Sequence, residues 1–309
     1  LEILELENIV SLPCNSVATI GMFDGVHKGH QFMLQELKNI AQRESCKSVV
    51  ITFANHPREV LDSKQEKNPI ELLQTNSERY SKIKNSEIDY LITIPFTKEF
   101  AQISPKAFLD ILKQKINIQV LLLGYDNSFG NPNNEEFKEI ISKGEYSNIK
   151  IIRDKTALYE DDIEISSSEI RKAISNGNIS LANKMLGEYY SLSSNVEKGF
   201  QLGTTLGFPT ANIVVPNKKL IPKNGVYATL LHYNDNVYKS VTNIGYRPTF
   251  HRQEKTIETF IFDFNENIYD KEVRLQFVDY IREEKKFESA DLLAVQIEKD
   301  CEDAKKILA

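Results

Sequence analysis

The stretch Gly21-Met22-Phe23-Asp24-Gly25-Val26-His27-Lys28-Gly29-His30 decides how the first half of this chain is read. It follows a short apolar run, residues 16–21, patterned like a buried strand, and it opens a helix near His30. Gly21, Gly25 and Gly29 let the backbone come close to a ligand and reach positive φ. A helix N-terminus behind such a turn offers unpaired N–H groups and partial positive charge, which is what a bound phosphate needs. His27 and His30 are three apart, so a helical turn brings both to one ligand. There imidazole is a good donor to a triphosphate whose charge shifts during reaction. Lys28 either adds charge or lies in solvent. Two other readings stay open here. One is a histidine pair that only packs a turn. The other is a metal site, although catalytic zinc usually needs three protein ligands and no convincing third is nearby.

Working outward, residues 47–53, 90–95 and 119–124 are further apolar runs that suit strands buried on both faces. Helices lie between them. Thr75 and Glu78 form a capping box ahead of residues 79–84, and Ser104-Pro105 form an N-cap and N1 pair ahead of residues 106–115. Strand and helix in alternation predict a doubly wound parallel α/β sheet, in which ligands sit beyond the carboxyl ends of the strands. After about residue 187 the character changes. Residues 190–196, 211–215, 225–233, 237–244, 256–264 and 272–280 are β-prone and separated by Gly, Pro, Asn and Asp. Asn234-Asp235 is a hairpin signal. These predict a small antiparallel β-barrel closed by a helix over 289–308. The stripe Leu293, Ile297, Cys301, Ala304 and Leu308 on that helix reads as core packing without chemistry. Two domains are expected, 1–186 and 187–309.

The bulk numbers narrow the function classes. The chain has 309 residues, 41% of them apolar, and a net charge of -6. That is ample for two cores. No basic cluster marks a nucleic-acid partner, and no apolar run is long enough to cross a bilayer. Residues 1–10 lack the apolar segment of a signal peptide. The chain opens on Leu1 in place of methionine, which suggests an added or trimmed start. Three widely spaced cysteines predict neither a disulfide framework nor a zinc site, and so a reducing cytoplasm.

A second motif, Gly203-Thr204-Thr205-Leu206-Gly207-Phe208-Pro209-Thr210-Ala211-Asn212, opens the barrel half. Its glycines permit close approach to phosphates, and Pro209 pre-sets the chain. Thr210 and Asn212 offer neutral oxygens of the kind magnesium accepts when substrate phosphates complete its shell. A turn of this composition, taken alone, is more often structural.

Together these strings resemble the bacterial bifunctional riboflavin kinase/FAD synthetase family over nearly the whole chain. The first matches the nucleotidylyltransferase signature as that family carries it. Ile165-Ser166-Ser167-Ser168-Glu169-Ile170-Arg171 resembles a second element of the superfamily, with Ser168 where threonine is more usual. Read by themselves, its hydroxyls cap a helix and Arg171 is a candidate phosphate clamp. Thr52-Phe53-Ala54-Asn55-His56-Pro57 stands where the family has a flavin-contacting loop. Gly124-Tyr125-Asp126-Asn127-Ser128-Phe129-Gly130 resembles another loop, in which Asn127 replaces the usual phenylalanine. Residues 203–212 match the riboflavin kinase signature. Residues 222–227, 243–250 and 282–287 match its flanking segments, and Glu258 falls at the family's catalytic base.

The resemblance implies ATP-dependent phosphorylation of riboflavin to FMN by the second domain and adenylylation of FMN to FAD by the first. It implies His27, His30, Arg171 and Glu258 as catalytic residues, with Glu258 an inward-facing strand carboxylate. ATP contacts fall on Gly21, Phe23, Asp24, Gly25, Gly29, Ser166, Ser167, Ser168, Gly203, Gly207, Pro209 and Thr210. Flavin contacts fall on Phe53, His56, Pro57, Asp126, Asn243, Arg282 and Phe287. Magnesium enters with ATP at Thr210 and Asn212, and no tightly bound prosthetic group is required. The partners are riboflavin, FMN and ATP, with no nucleic acid and no membrane. The oligomeric state is left open. Two further readings compete: a kinase without adenylylation, prompted by Asn127, and a flavin-binding regulator without catalysis.

Overall fold

Apolar side chains on both faces of a run force a strand to be covered twice, and the first half of the chain meets that demand with helices on each side of one sheet. The computed structural model describes residues 1–61, 70–124, 134–199, 207–248 and 253–309. It divides into two compact units, Leu1–Ile165 and Ser166–Ala309.

The first unit runs β1 (Glu2–Glu5), β2 (Ser16–Ile20), α1 (Lys28–Arg43), β3 (Lys47–Phe53), α2 (Pro57–Leu61), α3 (Asn76–Asn85), β4 (Tyr90–Ile94), α4 (Pro105–Ile116), β5 (Ile118–Leu123), α5 (Glu135–Lys143), β6 (Glu145–Tyr146) and β7 (Ile149–Arg153). A short hairpin, β8 (Tyr159–Glu160) with β9 (Ile163–Glu164), follows. Seven strands pair in the order β1-β4-β3-β2-β5-β7-β6. All pairings are parallel except that of β6 with β7. Alternate residues feed two separate cores. Ala18, Ile20, Val49, Ile51, Leu121 and Leu123 face one side. Val17, Val50, Leu91, Val120 and Leu122 face the other. Strand order reverses about β2, which lies between β3 and β5. The turn beginning at Gly21 therefore leaves the sheet at the crevice where such folds take ligands. The helix starts follow the sequence. Thr75 and Glu78 form the expected capping box on α3, and Ser104 caps α4 ahead of Pro105.

The second unit begins with α6 (Ser167–Ser175) and α7 (Ile179–Leu186). It continues with β10 (Tyr190–Glu197), β11 (Thr210–Ile213), β12 (Gly225–Tyr233), β13 (Asn236–Pro248), β14 (Gln253–Ile261), β15 (Glu272–Arg282) and α8 (Ala290–Ile307). The six strands close into a barrel, β10-β11-β14-β13-β12-β15. Asn234 and Asp235 turn β12 into β13 with φ of 47 and 61°, the two left-handed residues of a tight hairpin. Period-two alternation separates two environments. Inside, Thr229, Ser240, Thr242 and Thr259 are fully buried and satisfy one another through hydroxyl bonds of 2.8–2.9 Å. Outside, Val226, Ala228, Val241 and Phe262 pack on Cys301 and Ala304 of α8.

Helices α6 and α7 pack with the barrel. Asn183 of α7 is the reason at atomic level. Its Nδ2 donates to the carbonyls of Phe277 and Val278 at 2.9 and 3.2 Å, and its Oδ1 accepts from Tyr190 N–H at 2.7 Å.

Candidate functional sites

The turn after β2 is held in a conformation that L-residues rarely adopt. Phe23 and Val26 have φ of 52 and 40°, and both side chains are buried. A β-branched residue at positive φ is strained, and strain of this kind collects at working sites. Asp24 anchors the turn. Its two carboxylate oxygens accept the N–H groups of Leu73 and Gln74 at 3.0 and 3.1 Å. Those bonds run to protein backbone, so the geometry gives Asp24 a share in shaping the turn.

His27 is the N-cap of α1. Its Nδ1 accepts the His30 N–H at 3.3 Å, which leaves the ring proton of the neutral side chain on Nε2. The imidazoles of His27 and His30 stack at 3.7 Å and 20°, and the Phe23 ring lies 5.1 Å from His30. Gly29 is required by closeness. A Cβ there would sit 3.2 Å from His27 Nδ1 and Cε1. Burial first, then His27, Lys82 and Arg79, holds the His30 imidazole well below its ordinary range. Lys28 pairs with Glu160 of the β8–β9 hairpin at 2.9 Å, an ion pair that neither sequence reading anticipated.

Phe53, His56 and Pro57 follow at the carboxyl end of β3. The Phe53 ring packs edge-on against Phe96 and Phe100. Asn55 bridges to the exit of β4, donating to Phe96 O at 2.9 Å and accepting from Phe96 N at 2.8 Å. His56 Nδ1 accepts from Arg58 N–H at 3.2 Å. Asp126 and Gly203 lie outside the described residues. Ser166 caps α6 by accepting from Glu169 N–H at 3.2 Å, the plain capping geometry, with Ser167 and Ser168 in the first turn and Arg171 half-buried one turn on.

In the second unit, register does what a local turn does in the first. Asn212 of β11 and Asn243 of β13 both pair with Glu258 of β14, so the three stand in one row across three strands. Thr210, Phe260 and Val241 form the next row on the same face. That face looks away from the barrel interior toward α8, so Glu258 is turned outward from the barrel. The alternation of β14 requires this, because Thr259 occupies the inside. A cavity of ≈ 250 Å³ lies here, lined by Thr210, Asn243, Glu258, Phe260, Arg282 and Phe287 together with Leu293, Ile297 and Asp300 of α8. The α8 stripe therefore does more than pack a core, since Leu293 and Ile297 wall the cavity.

Arg282 is engaged by protein. Nε and Nη2 donate to the two oxygens of Asp300 at 2.8 and 2.6 Å, and Nη1 donates to Glu283 O at 2.8 Å. Asp300 is 3% exposed and also accepts from Gln296 at 2.9 Å. Sequence reading missed Asp300, Gln296 and Arg79 of α3. Gly207 has φ of 85°, and Pro209 is exposed beside it. Gly199 lies against the Asn212 amide so closely that any Cβ would overlap it. Thr210 and Asn212 carry neutral hard oxygens, a donor set that suits a magnesium ion sharing its shell with phosphate.

Two family models match the chain: FAD synthetase over residues 10–169 and riboflavin kinase over residues 186–308. A bifunctional riboflavin kinase/FMN adenylyltransferase of Bacillus subtilis is 36% identical over 94% of this chain and 91% of its own length. Proteins of the same name from Listeria monocytogenes and Escherichia coli K12 are 33% and 31% identical, covering 96% and 92% of this chain and 93% and 90% of theirs. A crystal structure described as a macrolide-efflux protein from Streptococcus pneumoniae superposes with a TM-score of 0.88 at 28% identity, covering 99% of both chains. Among the described residues no helix is long and apolar enough to cross a membrane.

Proposed function

This chain belongs to the bifunctional riboflavin kinase/FMN adenylyltransferase family, and on that premise we propose which of its residues carry each step. The riboflavin kinase domain phosphorylates riboflavin to FMN, and the FAD synthetase domain adenylylates FMN to FAD, each with ATP.

In the kinase step, Glu258 takes the proton of the riboflavin 5′-hydroxyl as that oxygen attacks the γ-phosphorus of ATP. The bond to the leaving oxygen breaks, and its electron pair departs with ADP. The observation that carries this reading is the row Asn212–Glu258–Asn243, of which Glu258 and Asn243 line the cavity under α8. Phe260, Phe287, Leu293 and Ile297 supply apolar walls for the flavin ring, and Asn243 a polar contact. Arg282 positions the wall through Asp300. Thr210 and Asn212 would hold a magnesium ion entering with ATP. When bound, that ion neutralises charge on the transferring phosphoryl group. The glycines and Pro209 of residues 203–209 line the ATP path.

In the adenylyl step, a phosphate oxygen of FMN attacks the α-phosphorus of ATP, and the bond to pyrophosphate breaks. The nucleophile is already anionic, so positioning and charge stabilisation suffice. His27, through Nε2–H, His30 and Arg171 stabilise the charge. Gly21, Phe23, Gly25, Gly29 and Ser166–Ser168 border the nucleotide, with Asp24 shaping the turn. Phe53, His56, Pro57 and Asp126 border the flavin. We assign adenylylation to residues 1–186 and phosphorylation to 187–309; the start of the riboflavin kinase match at residue 186 supports that boundary, while the FAD synthetase match ends at 169 and residues 166–186 pack with the barrel unit. A cytoplasmic site of action fits the use of ATP.

The test is to incubate the protein with riboflavin, ATP and magnesium and separate the flavins. FAD is the expected product. FMN alone would leave only the kinase, and unchanged riboflavin would mean a binder.

A further inference from the structure

Arg79 heads the largest side chains that are fully buried among the described residues. An arginine stays charged, and a buried charge is costly unless it is paired. No carboxylate pairs with this one among the described residues. The acid that acts on it, Asp24, spends its oxygens on the N–H groups of Leu73 and Gln74. Nη2 donates to Phe53 O at 2.7 Å and to Asn76 Oδ1 at 2.9 Å, and the guanidinium lies 5.4 Å from the centre of the Tyr80 ring. Nε and Nη1 have no hydrogen-bond partner. An apolar side chain of similar volume would fill this space at less cost, so packing does not account for it.

Its position does. Asn76 passes the contact on, donating Nδ2 to Ala54 O at 2.7 Å. Arg79 and Asn76 thus hold the carbonyls of Phe53 and Ala54, where β3 leaves the sheet toward His56 and Pro57. His30 is held well below its ordinary range by burial first, and then by His27, Lys82 and Arg79. The groups facing that ring are His27 stacked on it, Phe23 tilted against it, and two cations, Arg79 and Lys82, with Lys82 Nζ held by Gly25 O at 3.1 Å. His30 Nδ1 is buried without a hydrogen-bond partner.

We propose that Arg79 is a positioning residue for adenylyl transfer, one buried guanidinium that fixes the exit of β3 ahead of His56 and Pro57. The proposal rests on the reading in which His30 and the β3 exit serve that step. Burial above all, with His27 and the nearby cations after it, keeps His30 neutral. A neutral donor binds the ground-state triphosphate weakly and strengthens as charge gathers on the departing pyrophosphate, which is the differential binding that raises a rate.

The experiment uses the full chain, whose five histidines give few enough ring resonances for an NMR titration, with His30 assigned by its absence in His30→Gln. Arg79→Met should leave the His30 titration close to its wild-type position, because burial is the larger cause of that shift, and so show the histidine pocket intact. It should also raise the KM for FMN about tenfold, the worth of one charge-assisted hydrogen bond. Arg79→Lys keeps the charge and loses the fork. It should titrate like the wild type while its KM for FMN still rises. A wild-type KM for FMN in folded Arg79→Met would overturn the proposal. If Arg79→Met does not fold, Arg79→Lys decides alone, and a wild-type KM for FMN there overturns it. His30→Ala separates the two levels. Wild-type adenylylation in that variant removes the reading underneath. Slow adenylylation there, with a wild-type KM for FMN in Arg79→Met, sinks only the role of Arg79.

Discussion

The turn from Gly21 to His30 carries its own shape, whereas Glu258 owes its place to strands far apart in sequence. In the turn, Phe23 and Val26 are strained, His27 caps the helix that begins after it, and Gly29 makes room for His27, all within ten residues. In the barrel, Asn212, Asn243 and Glu258 meet only because β11, β14 and β13 pair in one register. The two constructions fail differently. A change in the turn shifts a few atoms. A one-residue slip of β14 would send Glu258 into the barrel and put Thr259 on the cavity face. Positional accuracy is local in the first case and collective in the second.

That contrast breaks most clearly at the base itself. Glu258→Gln preserves register and size, so the barrel should fold normally while FMN formation falls about 10²–10⁴-fold. FAD formation from supplied FMN should stay near wild type. Kinase turnover close to normal would exclude Glu258 as the base.

The local character of the turn is sharpened by Gly29→Ala. The new methyl presses on the His27 ring, and a displacement of that scale lowers a rate about 10- to 100-fold. Adenylylation should drop with little change in thermal stability or in riboflavin phosphorylation. Equal loss of both activities would show that the turn is not a self-contained device.

Collective support is probed by Asp300→Asn. Removing one partner of a buried ion pair typically costs about 3 kcal/mol or more. Denaturant unfolding should show the barrel unit weakened by about that amount, and the KM for riboflavin should rise as α8 loosens. Unaltered stability would mean that Arg282 finds another acceptor.

The smallest effect is a pH dependence. His30 is held below its ordinary value by burial and by neighbouring cations. Between its folded value and about 6.5 the unfolded chain binds the extra proton, so stability rises with pH through that window. Above the ordinary value the contribution is complete, and it is lost as pH falls toward the folded value. Thermal melts from pH 8 downward should show a slope of at most about 1.4 kcal/mol per pH unit, flattened in His30→Gln.

Both motifs were legible because each is short and chemically loaded, and the strand runs were legible because β2–β5 are buried on two faces. The expected span 225–233 coincides with β12, and 47–53 with β3. Other features depend on partners distant in sequence. Arg79 reads as an ordinary helix residue until Phe53 O is found beside it, 26 positions away. Asp300 reads as the polar side of a helix until Arg282 meets it. The short strands β1 and β6 have too few residues for a period to show. Asn183 ties α7 to β15 by a contact across 94 positions that no local pattern announces.

The Arg282–Asp300 pair also sets an order of events during synthesis. Glu258, Asn243 and Arg282 leave the ribosome before the residue that completes their cavity, 18 positions beyond Arg282. At about 5–20 residues per second, translation of that interval takes roughly 1–4 s. During that interval the barrel's strands exist without the α8 wall, and the Val226, Val241 and Phe262 surface that α8 covers is open to water. The turn at His27 waits for nothing so late, since its cap, its stacked ring and its Asp24 anchor all lie within the first 74 residues. A nascent chain whose barrel strands have emerged ahead of α8 would thus present a formed first turn and a sticky, unfinished barrel, a state open to a chaperone.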